Sequence, residues 1–306
     1  MKNINKWLAP QLPEKEKLAF WLARRLLNIF IIFSILLLAF GWLFKDRLIF
    51  HPVKEGIANP GNYRLPYEER WLTTIGGDSI RAWRIPRPET GTSRVTVLFF
   101  QGNSGNMSLM LDRMAAFHSL GFDCYSVDYP GYGPSPGRPS EDSVYQSAEA
   151  LWQWAAENGT KAEDTIVYGF SLGGGVASYL TAKKKPAALV LDSTFTRLRD
   201  VPGSDLPFLR PYLNLILGEA FDTQGRLSQS IGCPLVVLHS QNDDVVPYSL
   251  GLANYQGYGH RKKMVTGTGD HMGFLLNKNI YLKPLLDLAA EIDAGSPREE
   301  SSALND

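Results

Sequence analysis

Residues 26–44 read LLNIFIIFSILLLAFGWLF, nineteen positions without a charge, in which Asn28 and Ser34 are the clearly polar side chains. At about 1.5 Å rise per residue the run makes a helix roughly 29 Å long, matching a hydrocarbon core of about 30 Å. Buried helices of soluble proteins keep a polar face, whereas this one is apolar all round, so the pattern predicts one transmembrane helix. The stretch exceeds the usual signal-peptide core of about 7–15 residues and no small-x-small site follows, which favours an uncleaved signal anchor. Lys2, Lys6, Lys15, Lys17, Arg24 and Arg25 precede the span, against Lys45 and Arg47 just after it. The positive-inside rule then keeps residues 1–25 cytoplasmic and carries the bulk of the chain across the membrane, into the periplasm in a Gram-negative bacterium.

Beyond the span the pattern changes twice. Residues 45–66 are polar with scattered Pro and Gly and read as a linker, and Gly76-Gly77-Asp78 between two β-prone runs predicts an opening hairpin over 69–85. From 95 onward apolar runs of strand length alternate with helical periodicity. Strands are predicted at 95–100, 122–128, 165–168, 188–191, 234–239 and 262–266, and helices at 107–120, 140–158, 172–182, 249–255 and 280–292. Such alternation implies an α/β domain over 67–294, a mostly parallel sheet flanked by helices. Between 195 and 230 the alternation pauses; the large apolar residues at 206–221 suit either a small lid or a long crossover. The polar tail at 295–306 reads as disordered.

Composition narrows the function. The 31 basic and 31 acidic residues cancel, which removes the field that nucleic-acid binding needs. Cys124 and Cys233 each sit in an apolar strand-like run, as buried thiols do, and nothing in the spacing demands a disulfide between them. With five scattered histidines and no Cys-x-x-Cys, no metal-ligand spacing appears, and neither a metal nor a cofactor is expected.

Gly169-Phe170-Ser171-Leu172-Gly173 fits Gly-x-Ser-x-Gly between a strand and a helix, the context of a nucleophile elbow. A sharp strand-to-helix turn forces the serine into a strained conformation, and flanking glycines leave room for it. A serine hydroxyl needs a base, normally His, itself oriented by a carboxylate, and in this arrangement the acid follows the serine and the His comes last. Of the three histidines downstream, His239 precedes the candidate acids and His260 precedes a strand, which puts it at the opposite sheet edge. His271 follows the last strand and reaches the catalytic edge. Asp243 and Asp244 both follow the strand at 234–239 and both qualify as the acid; Asp270, next to His271, should point away from the ring. Donors for a developing oxyanion are expected from the Leu172 backbone N–H at the start of the helix and from the loop 101–106, where the Asn103 backbone N–H is the candidate.

Several segments together resemble the bud-emergence (BEM46-like) family of membrane-anchored α/β-hydrolases: residues 48–52 after a single span, the run 100–106, the loop 128–141, the elbow at 169–173, and His239 followed by Asp243-x-Val245-Val246-Pro247. The resemblance extends over roughly residues 26 to 290. It implies an α/β-hydrolase fold, a triad of Ser171, Asp243 and His271 with Asp243 as the acid, and action on ester or thioester bonds. Two departures stand out. Gln101 replaces the His of a His-Gly-Asn run, and Ser240 replaces a Gly after the strand His. The substrate expected is a small-molecule or lipid-like acyl compound, with the membrane as the other partner. A peptidase on the same fold usually carries a large extra domain, and a silent membrane-tethered binding protein would show a broken triad.

Overall fold

The computed structural model describes residues 14–56, 58–201, 209–229 and 231–295. The first thirteen residues of the expected cytoplasmic segment, 206–208 of the apolar run and 296–306 of the expected tail lie outside them. Helix α1 (Glu14–Ile49) contains the whole apolar run and extends it at both ends. It is long and apolar enough to cross a membrane, and its apolar side chains stand exposed from Leu18 to Leu43.

After α1 come the short strand β1 (His51–Pro52), a 3₁₀ turn at Pro60–Tyr63, and the hairpin β2 (Glu68–Thr73) and β3 (Ser79–Ile85). The hairpin is antiparallel across the expected turn, where Gly77 N–H donates to the Thr74 carbonyl. Next follow β4 (Thr96–Phe100), the two-residue β5 (Ser104–Gly105), α2 (Leu111–Ser119), β6 (Asp123–Val127), α3 (Glu141–Glu157), β7 (Thr165–Phe170) and α4 (Leu172–Lys184). The chain continues through β8 (Ala188–Asp192), α5 (Arg210–Leu217), α6 (Thr223–Gln229), β9 (Leu235–Ser240), α7 (Tyr248–Gly257), β10 (Lys262–Gly267) and α8 (Phe274–Asp293). The main sheet has eight strands in the order β10-β9-β8-β7-β4-β6-β3-β2. From β10 to β6 every neighbouring pair is parallel, and β3 alone is reversed, antiparallel to both its neighbours β6 and β2.

The five inner parallel strands are buried along their whole length, as strands covered on both faces must be. Their period of two divides them between two cores. Leu98, Phe100, Val167, Leu189 and Val237 join α3, α4 and α6 on one face; Val97, Phe99, Ile166, Val190 and Val236 join α2 and α8 on the other. Cys124 and Cys233 are both buried, and no disulfide links them. Burial raises the pKa of the Cys124 thiol.

Two segments depart from the sequence reading. The expected linker at 45–66 is not slack, because α1 runs on to Ile49 and β1 pairs in parallel with β5, His51 opposite Ser104 and Pro52 opposite Gly105. The apolar run at 206–221 carries α5, which packs against the membrane-type helix: Tyr212 Oη and Ser34 Oγ share a hydrogen bond of 2.7 Å, and a Cβ on Gly41 would strike Ile216. Within α5, Tyr212 and Ile216 meet α1, whereas Leu217 packs against the domain core and Leu215 stands exposed.

Candidate active site

Because the inner strands are parallel, the loops after β4, β7, β9 and β10 all leave the same sheet edge, the place where open α/β sheets put ligands. Ser171 lies between β7 and α4 with φ 51° and ψ −122°, a region that L side chains rarely adopt. The elbow is clamped from three sides. Ser171 N–H donates to the Asp192 carbonyl at 2.8 Å, while its own carbonyl accepts from Gly174 N–H at 2.9 Å and Thr194 Oγ1 at 3.1 Å. The flanking glycines are needed for close approach: a Cβ on Gly173 would collide with the carbonyls of Phe100 and Gln101, and one on Gly169 with the Gly173 backbone. Leu172 opens α4, so its N–H has no carbonyl one turn earlier within the helix.

His271 and Asp243 meet across two loops. His271 Nδ1 is 2.8 Å from Asp243 Oδ2 and 3.0 Å from Oδ1, and the Asp243 side chain is fully buried. A carboxylate only accepts, so Nδ1 carries the proton and Nε2 keeps its lone pair. Burial alone would raise the pKa of Asp243, but hydrogen bonds from His239 and His271, and from the Val246 N–H, outweigh it and hold the carboxyl well below the usual carboxylate range. Val245 N–H at 2.9 Å and Val246 N–H at 2.7 Å both donate to Asp243 Oδ1. The neighbouring Asp244 turns elsewhere, accepting the backbone N–H of His271 at 3.0 Å, and Asp270 accepts from Met272 N–H in its own loop. The loops thus sort the two candidate acids, one to the ring and one to the backbone.

His271 reaches Ser171 through Phe170, whose ring centroid is 5.0 Å from the imidazole. Among the described residues no hydrogen bond joins Ser171 Oγ to His271, a contact that is often loose in unliganded sites and tightens with substrate. The Phe170 ring in turn carries the Arg113 guanidinium, 4.2 Å from its centroid. Arg113 is ion-paired in the interior with Asp192, to which Tyr168 Oη also donates at 2.8 Å.

Asn103 sits in the loop after β4, next to Gly102, where a Cβ would come within 3.3 Å of Ser171 Cβ. Gln101 is fully buried. Its amide lies toward Asp128, but neither amide atom has a hydrogen-bond partner. Burial raises the pKa of Asp128, which still accepts from Arg81 and from the Met107 N–H at 2.8 Å and so steadies the same loop. Ser240, the second departure, donates to the Gly269 carbonyl and ties the acid loop to the His271 loop. His260 lies exposed just ahead of β10, at the far edge.

Two supporting residues escaped the sequence reading. His239 is fully buried, and its Nε2 donates to the Val246 carbonyl at 2.8 Å and lies 3.3 Å from Asp243 Oδ2. The signal available was its spacing, four residues before the acid at the end of a buried strand. Asn277, 4% exposed on α8, accepts from Thr268 N–H at 2.9 Å and donates to the carbonyls of Thr268 and Gly273, bracketing the loop that carries His271. Asn277→Ala removes three hydrogen bonds to the backbone of the loop that carries His271 and is expected to lower folding stability by about 1–3 kcal/mol, measured by urea unfolding. Among the described residues no cluster of His, Cys, Asp or Glu is arranged to hold a metal ion.

The family model for the alpha/beta hydrolase fold matches residues 95–213, which include the loop 101–106 and the elbow. An uncharacterized protein of Mycobacterium tuberculosis is 32% identical over 80% of this chain and 87% of its own. Protein bem46 of Schizosaccharomyces pombe is 28% identical over 70% of this chain and 75% of its own. Lysophosphatidylserine lipase ABHD12 of Mus musculus is 31% identical over 67% of this chain but 58% of its own, so the chain spans little more than half of that protein. Among solved structures, the Pyrococcus furiosus esterase Pf2001 superposes with a TM-score of 0.63 at 17% identity, over 79% of this chain and 98% of that one, a likeness of fold. An elbow serine, a carboxylate-bound histidine on the same sheet edge and these relatives agree: the chain belongs to the bem46-like family of α/β-hydrolase domain proteins.

Proposed function

We propose that the protein is a membrane-anchored serine hydrolase that cleaves ester or thioester bonds of acyl substrates, with Ser171 as nucleophile, His271 as general base and Asp243 as the acid that orients it. The observation that carries this reading is the buried Asp243 carboxylate accepting the His271 Nδ1–H at 2.8 Å, on loops leaving the same edge as the strained Ser171. In the first step His271 Nε2 takes the proton of Ser171 Oγ as Oγ bonds to the acyl carbon. Charge develops on the carbonyl oxygen, where the Leu172 and Asn103 backbone N–H groups donate to it. Collapse breaks the bond to the alcohol or thiol, which leaves with the proton from Nε2, and the acyl group stays on Ser171. Water then repeats the sequence, giving its proton to His271 and releasing the acid. No step draws on a cofactor.

The substrate class follows from what stands beside the site. Helix α1 is suited to anchor the domain, with the basic residues ahead of its apolar run at 26–44 on the cytoplasmic side, and α5 lies against α1 at Ser34 and Gly41. A relative that is a lysophosphatidylserine lipase points to the same chemistry, the ester of a single acyl chain in a lipid. The test is a fluorophosphonate probe on the full-length protein in nanodiscs, followed by mapping of the labelled peptide. Phosphonylation of Ser171 is the expected result; label on another residue, or none, overturns the mechanism. A panel of p-nitrophenyl butyrate, a long-chain monoacyl lipid and peptide anilides reads the bond class. Preferential turnover of the anilides would make the protein a peptidase.

A further inference from the structure

The chain that leaves α1 is built into the loop that carries Asn103. Asn103 Nδ2 donates to the Ile49 carbonyl in the last turn of α1 at 2.8 Å, and His51 N–H donates to the Asn103 carbonyl at 2.9 Å. Two residues on, Val53 N–H donates to the Gly105 carbonyl at 2.8 Å, and Asn106 Nδ2 donates to the carbonyls of Val53 at 3.0 Å and Glu55 at 2.8 Å. Tyr132 Oη donates to the Asn103 carbonyl as well, and Gly133 N–H donates to Val53 at 3.0 Å. Ile49 and Phe50 are 7% and 3% exposed and belong to the same apolar cluster as Leu172, the residue after the nucleophile.

These bonds constrain Asn103 and the peptide group that follows it. An oxyanion donor works only if its N–H points at the developing charge before the reaction begins, and a loop framed by Gly102 and Gly105, the latter at φ 88°, has little stiffness of its own. Holding the Asn103 carbonyl from two sides and its side chain from a third fixes its Cα and the peptide that follows, and so narrows the directions its own N–H can take. The groups doing so come largely from residues 49–55, which the sequence presents as a linker.

We propose that residues 49–55 are a positioning element of the active site: the exit of the membrane helix holds the oxyanion loop in its working conformation, so that hydrolysis depends on how α1 is seated. This rests on the reading of Ser171 as nucleophile and Asn103 as backbone donor. It assigns the Asn103 side chain a role separate from its N–H, because an Ala at 103 keeps the donor and loses the tie to Ile49.

The experiment compares full-length wild type, Asn103→Ala, Val53→Pro and the double variant in identical nanodiscs. The substrate is p-nitrophenyl butyrate, which is soluble and needs no membrane access. Val53→Pro removes the N–H that Gly105 accepts and touches no group proposed to act in the reaction. Each single variant is expected to lower kcat and the rate of fluorophosphonate labelling by about tenfold, with KM within about twofold of wild type. Since both act through one loop, the double variant should fall less than about twofold below the weaker single. A merely structural role predicts instead a lowered unfolding midpoint with kcat per folded molecule unchanged, and that result in either folded variant overturns the proposal. So does full additivity, about a hundredfold loss in the double variant. Should Val53→Pro fail to fold, Asn103→Ala alone decides. Failure of the wild type to label at Ser171 is a different outcome, visible before any variant is made, and removes the hydrolase reading together with this one.

Discussion

Ser171→Ala is expected to lower kcat for ester hydrolysis by about 10⁵–10⁶-fold and to abolish fluorophosphonate labelling, leaving the residual catalysis that binding and the oxyanion donors supply without a nucleophile. The fold should survive, because Ser171 is held through its backbone: its N–H by the Asp192 carbonyl and its carbonyl by Gly174 and Thr194. What should change with the choice of substitute is stability. At φ 51° and ψ −122° an L residue is strained by about 1–3 kcal/mol, and Ala inherits that strain. Ser171→Gly removes it at an entropic cost of about 0.4–1 kcal/mol, so this variant should be as inactive as Ser171→Ala yet more stable by about 1 kcal/mol in urea unfolding. Two inactive proteins with different stabilities would separate chemistry from scaffold. A Ser171→Ala protein that keeps a tenth of wild-type turnover would put the nucleophile elsewhere.

That elbow was legible in the sequence because its requirements are local. A strand, a turn with glycines two residues to either side, and a helix all fall within a short window. The histidine was legible by order, since only His271 follows the last strand. The choice between Asp243 and Asp244 could not be read from the residues alone. It is made by two backbone donors, Val245 and Val246, that curl the loop onto the first carboxylate and leave the second to His271 N–H. His239 was set aside as a base because it precedes the acid in order, and its spacing of four residues from Asp243 was not used as a sign of a supporting role. The strap at 49–55 was missed for a different reason. Half of the bonds described for it join backbone to backbone, and such pairing leaves no residue pattern in a Pro- and Gly-containing stretch; only Asn103 and Asn106 hint at it. In 206–221, apolarity was read as belonging to a pocket or a crossover, whereas part of it is packed on α1.

Asp243→Asn should cost about 10⁴-fold in kcat, with KM little changed and the fold retained. The reason is an inventory of donors. Asp243 Oδ1 accepts two backbone N–H groups, and Oδ2 faces His239 Nε2 and His271 Nδ1. An Asn has one acceptor oxygen, and the two rigid backbone donors claim it, which turns the NH₂ toward His271. The imidazole must then accept at Nδ1 and carry its proton on Nε2, the atom that has to take the proton from Ser171. Asp244→Asn makes the contrast, because its amide oxygen can still accept the His271 N–H, and a loss of no more than about tenfold is expected. If Asp244→Asn proved the more damaging of the two, the acid would be misassigned. The pH dependence of stability adds an independent reading. The folded-state pKa of Asp243 is depressed, so the carboxylate's contribution is fully present above the unfolded value of about 3.9 and is lost as pH falls through the folded value. Wild type should therefore exceed Asp243→Asn in stability at pH 7, and the gap should close only below about pH 4. A gap that closed near pH 6 would tie the stabilisation to a histidine instead of to this carboxylate.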